Sequence, residues 1–242
     1  MSVLAEAGRT LWPAPGDRHG PLAPMMVALT VVTGLVDAAS YLKLGHVFVA
    51  NMTGNVVFLG FAIAGAGGLS ASASLLALGA FLIGALGGGW LGARNAQHRG
   101  HLLRAAGSVQ APLIIVALVI SLAASEPFGQ DVRYALIVLL ALAMGVQNAS
   151  AQRLAVPELT TTVLTKTLTG IASEGALAQG AGSKLGRRTV AVTAMLLGAL
   201  VGALLALRVS VASDLAVAAA VVIAVALAVH LASRSDSLWT RA

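Results

Sequence analysis

The stretch Thr33-Gly-Leu-Val-Asp-Ala-Ala-Ser40, followed by Asn51-Met-Thr-Gly-Asn55, has a counterpart in the second half of the chain. The counterpart is Met144-Gly-Val-Gln-Asn-Ala-Ser150, followed by Thr160-Thr-Thr-Val-Leu-Thr-Lys-Thr167. Both copies carry polar residues within otherwise apolar sequence. A duplicated unit with polar groups at membrane depth is typical of a transporter-like binding site. The repeat therefore predicts where a ligand binds, but it does not identify the ligand.

The two copies align with a shift that grows along the chain, from 111 residues at Gly34 to 112 at Thr53, which falls on Thr165, and to 114 at Ile83-Gly-Ala-Leu86, which falls on Leu197-Gly-Ala-Leu200. A shift of 111 residues places Gly34 on Gly145 and Asp37 on Asn148. One position is therefore acidic in the first copy and neutral in the second. We expect any site built from the repeats to be asymmetric.

Composition assigns the protein class. The chain has 242 residues, of which 58% are hydrophobic and 10% charged, and its mean hydropathy is +0.90. These values, with apolar runs near the length that crosses a bilayer, predict an all-α, polytopic membrane protein whose partner is the lipid bilayer. The net charge of +6 is explained by basic loops on the cytoplasmic side, so we expect no nucleic-acid partner. The absence of cysteine excludes disulfides and thiol catalysis.

Eight apolar segments can be drawn, four in each half. Two of them, 47–66 and 159–180, are too short or too polar to face lipid along their length, and we expect re-entrant or broken helices there. The leader 1–24 is expected to be disordered or to lie on the surface, and 233–242 to be a cytoplasmic tail. Membrane repeat 1 covers 25–126 and membrane repeat 2 covers 127–232. The six other segments are 25–43, 70–93, 110–125, 133–151, 189–207 and 213–232.

The basic residues predict the topology. With six crossings and two re-entrant elements, eleven of the basic residues lie on the side of the N-terminus and three on the other side. With eight crossings the basic loops would face opposite sides, against the positive-inside rule. We therefore expect a bacterial inner-membrane protein with both termini in the cytoplasm and two inverted repeats. The three opposite residues are Lys43, Arg133 and Arg208.

Small residues at four-residue spacing predict close helix packing. They are Gly84, Gly88 and Gly92 in one segment and Gly198 and Gly202 in its counterpart. The spacing is compatible with contacts inside one chain and with a homo-oligomer formed through these faces, and the sequence leaves both open.

Several polar residues are candidates for a substrate or ion site. Asp37 binds a proton or cation in one interpretation, and in the other it meets water or Lys43 near a helix end. The asparagines and threonines either bind a ligand or bond neighbouring helices. Lys166 is a candidate ion-pair partner of Asp37. The full candidate set is Asp37, Asn51, Thr53, Asn55, Gln147, Asn148, Thr161, Thr162, Thr165 and Lys166.

Catalysis is not expected, because no nucleotide, dinucleotide, nucleophile-elbow or zinc-protease motif is present. We expect no cofactor and no metal. The leading hypothesis is a small-solute or ion permease with a midplane site between the repeats. The alternative is a membrane assembly or sensory subunit in which the polar motifs only bond helix to helix.

Three stretches carry a family resemblance: Gly34–Tyr41, His46–Asn55, and Gly145–Ala149 with Leu159–Thr165. Through them the chain resembles the YoaK-like bacterial membrane proteins of domain of unknown function 1275, over residues 25–232. The resemblance implies a compact inner-membrane protein of about this length and no established substrate. Lys166 departs from the small or apolar residue expected in that pattern.

Overall fold

The computed structural model describes residues 2–14, 16–159, 161–162, 164–174, 184–233 and 238–240. Thr160, the end of predicted segment 159–180 and most of the predicted tail 233–242 lie outside these residues. The described parts of the chain form nine α-helices, one short 3-10 helix at Leu238–Thr240 and no strand. The α-helices are α1 Val3–Leu11, α2 Leu22–Lys43, α3 Met52–Ile63, α4 Ala71–Arg94, α5 Arg99–Ala123, α6 Gln130–Leu154, α7 Leu164–Ser173, α8 Leu185–Arg208 and α9 Val211–Ala232.

Six helices, α2, α4, α5, α6, α8 and α9, are long and apolar enough to cross a membrane. Each has at least 22 residues, or about 33 Å, against a hydrocarbon thickness of about 30 Å. Helices satisfy their backbone hydrogen bonds internally, which is what a span without water requires. The prediction of an α-helical, polytopic membrane protein with six long helices is confirmed, and α3 and α7 are the two short elements.

Contacts at the two ends of the bundle give the direction of every long helix. At the end that carries the N-terminus, Arg99 donates to His19 and to the carbonyl of Leu154. At the opposite end, Lys43 pairs with Glu126 at 3.5 Å. The first end therefore joins the starts of α2 and α5 to the end of α6, and the second joins the end of α2 to the connection between α5 and α6. Helices α2, α5 and α8 run one way, and α4, α6 and α9 run the other.

Long helices of one repeat pack against long helices of the other repeat. Helix α2 of the first repeat lies along α8 of the second, and α6 of the second lies along α4 of the first. Gly198 contacts Val31 and Gly202 contacts Leu35, so α2 and α8 are parallel. Since α2 and its counterpart α6 run in opposite directions, the repeats are inverted.

The repeated glycines lie at contacts between helices of the same chain. A Cβ on Gly34 would lie 2.5 Å from the backbone nitrogen of Ala199, and one on Gly88 would lie 2.8 Å from the carbonyl oxygen of Val146. Gly84 meets the backbone of Leu142 in the same way. Of the two alternatives for Gly84, Gly88, Gly92, Gly198 and Gly202, contacts within one chain are the ones that the structure shows, and a homo-oligomer stays a prediction.

Two features of the helices differ from the predictions made from the sequence. Helix α5 begins at Arg99 and not near residue 110, because its basic first turns continue the helix beyond the apolar span. In the leader, Val3–Leu11 forms helix α1 on the side of α8, where Glu6 accepts a hydrogen bond from the backbone of Gly186 at 3.0 Å. The core of the bundle lies along α2 and α6, while leucines of α4 and α8 are exposed on the outer surface.

Candidate functional site

The first re-entrant segment, residues 44–63, turns back into the bundle beside Asp37. The carboxylate Oδ1 accepts from the backbone N–H groups of Val49 and Ala50, each at 2.8 Å, and Oδ2 accepts from Asn51 Nδ2 at 2.5 Å. Asp37 lies six residues, or about 9 Å, before the end of α2 at Lys43. The chain therefore returns from the opposite end to this depth before α3 begins.

Asn55 holds the same segment through two hydrogen bonds to the backbone of Phe48. Its side-chain oxygen accepts from the backbone N–H of Phe48 at 2.8 Å, and its amide donates to the Phe48 carbonyl at 2.5 Å. The Phe48 ring stacks on Tyr41 and Phe58, with centroids 5.1 and 5.8 Å apart. This irregular, non-helical stretch has backbone groups paired by the side chains of Asp37 and Asn55, which is why it is tolerated inside the bundle.

The second re-entrant segment, described at residues 155–159, 161–162 and 164–174, repeats this arrangement from the N-terminal end. Thr162 Oγ1 donates to Asn148 Oδ1 at 2.5 Å, and Asn148 lies six residues before the end of α6. The bonded pairs Asp37–Asn51 and Asn148–Thr162 each span 14 residues. They occupy equivalent positions under the 111-residue shift, so the repeat preserves the bond while its chemistry changes from charged to neutral.

Charged groups also hold the second segment. Arg188 of α8 donates to Glu158 at 3.0 and 3.2 Å and to Glu174 at 2.9 Å, and its side chain is only 5% exposed. Gly170 of α7 lies directly against the guanidinium. The hydrogen bonds from Arg188, partly offset by burial, lower the pKa of Glu158 below its ordinary value. This ion-pair cluster has no equivalent in the first segment, where the position 114 residues before Arg188 is Ser74.

A cavity of about 590 Å³ lies between the two segments and is bounded by α4 and α6. Its polar lining comes from both repeats and, among the described residues, carries no charged side chain. The apolar lining includes Phe81, Ala85 and Leu164. The polar lining residues are Asn51, Thr53, Asn148, Gln152, Thr162 and Thr165.

A second cavity of about 430 Å³ occupies the equivalent position beside α2 and α8. Its lining includes Asp37, Tyr41 and Met195, which are the counterparts of Asn148, Gln152 and Phe81 in the first cavity. Most of its other lining is apolar. Asn51 and Leu164 line both cavities, so the tips of the two re-entrant segments separate them.

Five candidate residues do not line the larger cavity. Asp37 lies behind Asn51 on the second cavity, and Asn55 is used to hold Phe48. Gln147 donates to Thr33 at 3.0 Å and accepts from Gln110 at 2.6 Å, joining α2, α5 and α6. These three side chains are engaged in hydrogen bonds within the bundle.

The other two candidates are Thr161 and Lys166. Thr161 is buried, adopts a φ of 64°, which β-branched residues rarely do, and lies near Glu158 and not on the larger cavity. Lys166 is exposed, and within the described part of the chain no ion pair joins it to Asp37. The predicted Asp37–Lys166 pair is wrong, because Asp37 is already engaged by three N–H donors of the first segment.

Two functional positions were missed from the sequence. Gln152 lines the larger cavity, and extending the 111-residue shift places it on Tyr41, so the repeat itself contained the signal. Arg188 gives no such signal, because in the sequence it is one of several basic residues that precede an apolar segment. Only the folded chain shows that it is buried between two carboxylates.

Comparison with known proteins agrees with a membrane protein. The chain is 33% identical over 149 residues to UPF0700 transmembrane protein YoaK of Bacillus subtilis (strain 168), covering 61% of this chain and 64% of that protein. No solved structure matches the chain. The family model described as "Protein of unknown function (DUF1275)" matches residues 25–228, which include both re-entrant segments and all six long helices almost entirely. The chain belongs to the DUF1275 family.

Proposed function

We propose that the protein is a small-solute or ion permease whose site is the larger cavity between the two repeats. The observation that carries the proposal is the meeting of two inverted re-entrant segments at a polar cavity lined by both. Inverted repeats with interrupted helices at the centre of the membrane are the architecture in which secondary transporters bind substrate. A cavity of this volume also lies in the range of small-molecule sites.

The lining favours an uncharged, hydrogen-bonding solute within that class. Amides and hydroxyls supply both donors and acceptors, and no charged side chain of the described part of the chain lines the larger cavity. A bare cation such as Ca²⁺ would need six or more oxygen ligands within about 2.6 Å. A cavity of this size does not bring that many oxygen atoms so close to one point. Asp37, the carboxylate bonded to Asn51 of the lining, is occupied by Val49, Ala50 and Asn51.

The paired cavities suggest a route. They lie on symmetry-related sides of the segment tips, and Asn51 and Leu164 form the boundary between them. Movement of either tip away from its partner helix would join the cavities. The neutral Thr162–Asn148 bond is the weaker of the two equivalent bonds, so we propose that the tip of the second segment moves more readily, while Glu158 and Glu174 stay anchored on Arg188.

We also propose that the N-terminal end of the bundle faces the cytoplasm of a bacterial inner membrane. Nine basic residues of the described chain lie at that end and three at the other, which follows the positive-inside rule. The nine are Arg9, Arg18, Arg94, Arg99, Arg104, Arg153, Lys184, Arg187 and Arg188.

Iso-osmotic swelling of proteoliposomes tests permeation with defined probes. We expect glycerol, xylitol or urea to enter faster than into protein-free vesicles, with potassium chloride excluded. Thr165→Val should slow entry roughly fivefold, since a neutral hydrogen bond contributes about 1 kcal/mol. Thr169→Val on the same helix is the control, because Thr169 is exposed and lies outside the cavity lining. Entry of every probe at the protein-free rate would contradict the proposal.

The alternative, an assembly or sensory subunit, is favoured by one observation. Asp37, Asn55 and Gln147 all satisfy their polar groups within the chain. A single cysteine distinguishes the two functions, since the natural chain has none. In a permease, Ala149→Cys on the cavity lining should react with a charged thiol reagent much faster than outward-facing Leu86→Cys. Equal, slow reaction would favour the alternative.

A further inference from the structure

Asp214 is a buried carboxylate that the proposed permeation site does not use. It lies in the first turn of α9, at the end of the bundle opposite the N-terminus, and is 0% exposed. Its Oδ1 would lie 2.9 Å from a Cβ built on Gly202 of α8, and Leu35 of α2 contacts the same glycine. The carboxyl group is therefore enclosed where α2, α8 and α9 meet.

Neither oxygen of Asp214 has a hydrogen-bond partner within the described residues. Asp37 provides the contrast, because it is equally buried but accepts from two backbone N–H groups and from Asn51. Donors of that kind stabilise the ionised form of a carboxyl group. An isolated ionised carboxylate in apolar surroundings is strongly disfavoured, and such a group is normally neutralised.

The charged groups on the neighbouring elements are paired elsewhere, exposed, or at the other end of the bundle. On α2, Lys43 pairs with Glu126, whose other oxygen accepts from the backbone of Val211 at 2.7 Å. On α8, Arg208 is exposed at the last turn. The ionisable residues of α5 lie in its first two turns, at the other end of the bundle. They are Arg99, His101 and Arg104.

We propose that Asp214 is a proton-binding site, occupied as the neutral carboxylic acid when the protein is at rest. The ligand is one proton, taken by the carboxylate to form the acid and released to water at the nearby end of α9. Its position against Gly202 places the site in the packed interface between α2 and α8. A change in that interface would alter the surroundings of the carboxyl group and hence its proton occupancy.

Infrared spectroscopy of the protein in membranes tests the proposal without requiring transport. With carboxyl-labelled aspartate, wild type should show the carbonyl stretch of a protonated aspartic acid at neutral pH. The band should be lost in Asp214→Asn and retained in the matched control Asp37→Asn. Raising the pH should remove the band, and adding sodium or potassium at neutral pH should leave it unchanged.

Three results would overturn the proposal. They are the absence of a protonated-aspartate band in wild type at neutral pH, loss of the band in Asp37→Asn, and its displacement by sodium or potassium. The last would identify a cation site instead. If Asp214→Asn does not fold, Asp214→Leu provides the second variant, since a neutral acid in apolar surroundings is replaceable by an apolar side chain. The wild-type spectrum remains decisive in either case.

Discussion

At the scale of single residues, the bundle contains two buried aspartates with opposite surroundings. Asp37 accepts three hydrogen bonds and thereby holds the irregular stretch before α3 in the first re-entrant segment. Asp214 accepts none from the described residues. The same side chain is therefore a structural anchor in α2 and a candidate proton site in α9, and the difference comes from the donors that the fold brings to each.

Replacing Asp37 by alanine should destabilise the protein by about 2–4 kcal/mol, because the buried N–H groups of Val49 and Ala50 would lose their acceptor. Asp37→Asn keeps one acceptor oxygen and should cost less. The measurement is denaturant unfolding in detergent. Asp131→Ala, at an exposed aspartate in the first turn of α6, is the control and should change stability by less than about 0.5 kcal/mol. A similar cost for both alanine variants would contradict the anchoring role.

At the scale of elements, the bundle is held by two equivalent parallel helix pairs, α2 with α8 and α4 with α6. The glycines let the backbones touch, so each pair depends on the absence of a side chain at a few positions. The two re-entrant segments then fill the space between the pairs and are held by different chemistry. The first uses Asp37 and Asn55, and the second uses Asn148 and Arg188.

Gly198→Ala should destabilise the protein by roughly 1–3 kcal/mol or more, because its Cβ would press against the backbone of Val31. Gly87→Ala in α4 is the matched control, since no atom lies within 4 Å of the position its Cβ would take. That variant should be neutral or slightly stabilising through helix propensity. Thermal unfolding in detergent measures both. Equal midpoints would show that the interface tolerates a wider separation.

Acid should loosen the second re-entrant segment. The pKa of Glu158 is lowered in the folded protein by its bonds to Arg188. The pair's contribution is therefore present above the ordinary glutamate value, near 4.3, and is lost as the pH falls through the lower folded value. Hydrogen exchange of α7, corrected for intrinsic rates, should be unchanged from pH 7 to about 5 and accelerate below about 4. Exchange of α3 is the internal reference.

Arg188→Gln should accelerate exchange of α7 already at neutral pH, since Glu174 loses its ion-pair partner and Glu158 keeps only its longer contact with Lys184 at 4.0 Å. The neighbouring Arg187→Gln is the control, because Arg187 makes no ion pair within the described residues. If the two variants exchange alike, the ion-pair cluster does not hold the segment.

At the scale of the whole molecule, an approximate two-fold relation exchanges the repeats. It carries α2 onto α6, α4 onto α8, and one cavity onto the other. The relation is exact in topology but not in chemistry, because Asp37 corresponds to Asn148 and the larger cavity is the more polar one. A permease of this kind would offer different surroundings to its solute on the two sides.

Single cysteines test the topology. Leu4→Cys and Gln97→Cys should react with a membrane-impermeant reagent from one side, and Ala66→Cys and Ser125→Cys from the other. All four positions are exposed, and the chain has no cysteine of its own. With eight crossings, Leu4 and Gln97 would instead lie on opposite sides. Labelling intact and permeabilised cells distinguishes the two arrangements.

The sequence by itself determined the membrane class, the six long helices, the two short elements and the correspondence of Gly34 with Gly145. These features depend on hydropathy, charge and repetition, which can be read directly along the chain. The tertiary structure alone decided that Asp37 bonds Val49 and Ala50 and not Lys166, that the glycines pack within one chain, and that Arg188 and Asp214 are buried. These features depend on contacts between helices that are distant in sequence. No local sequence pattern predicts which hydrogen-bond donors and which backbones come into contact there.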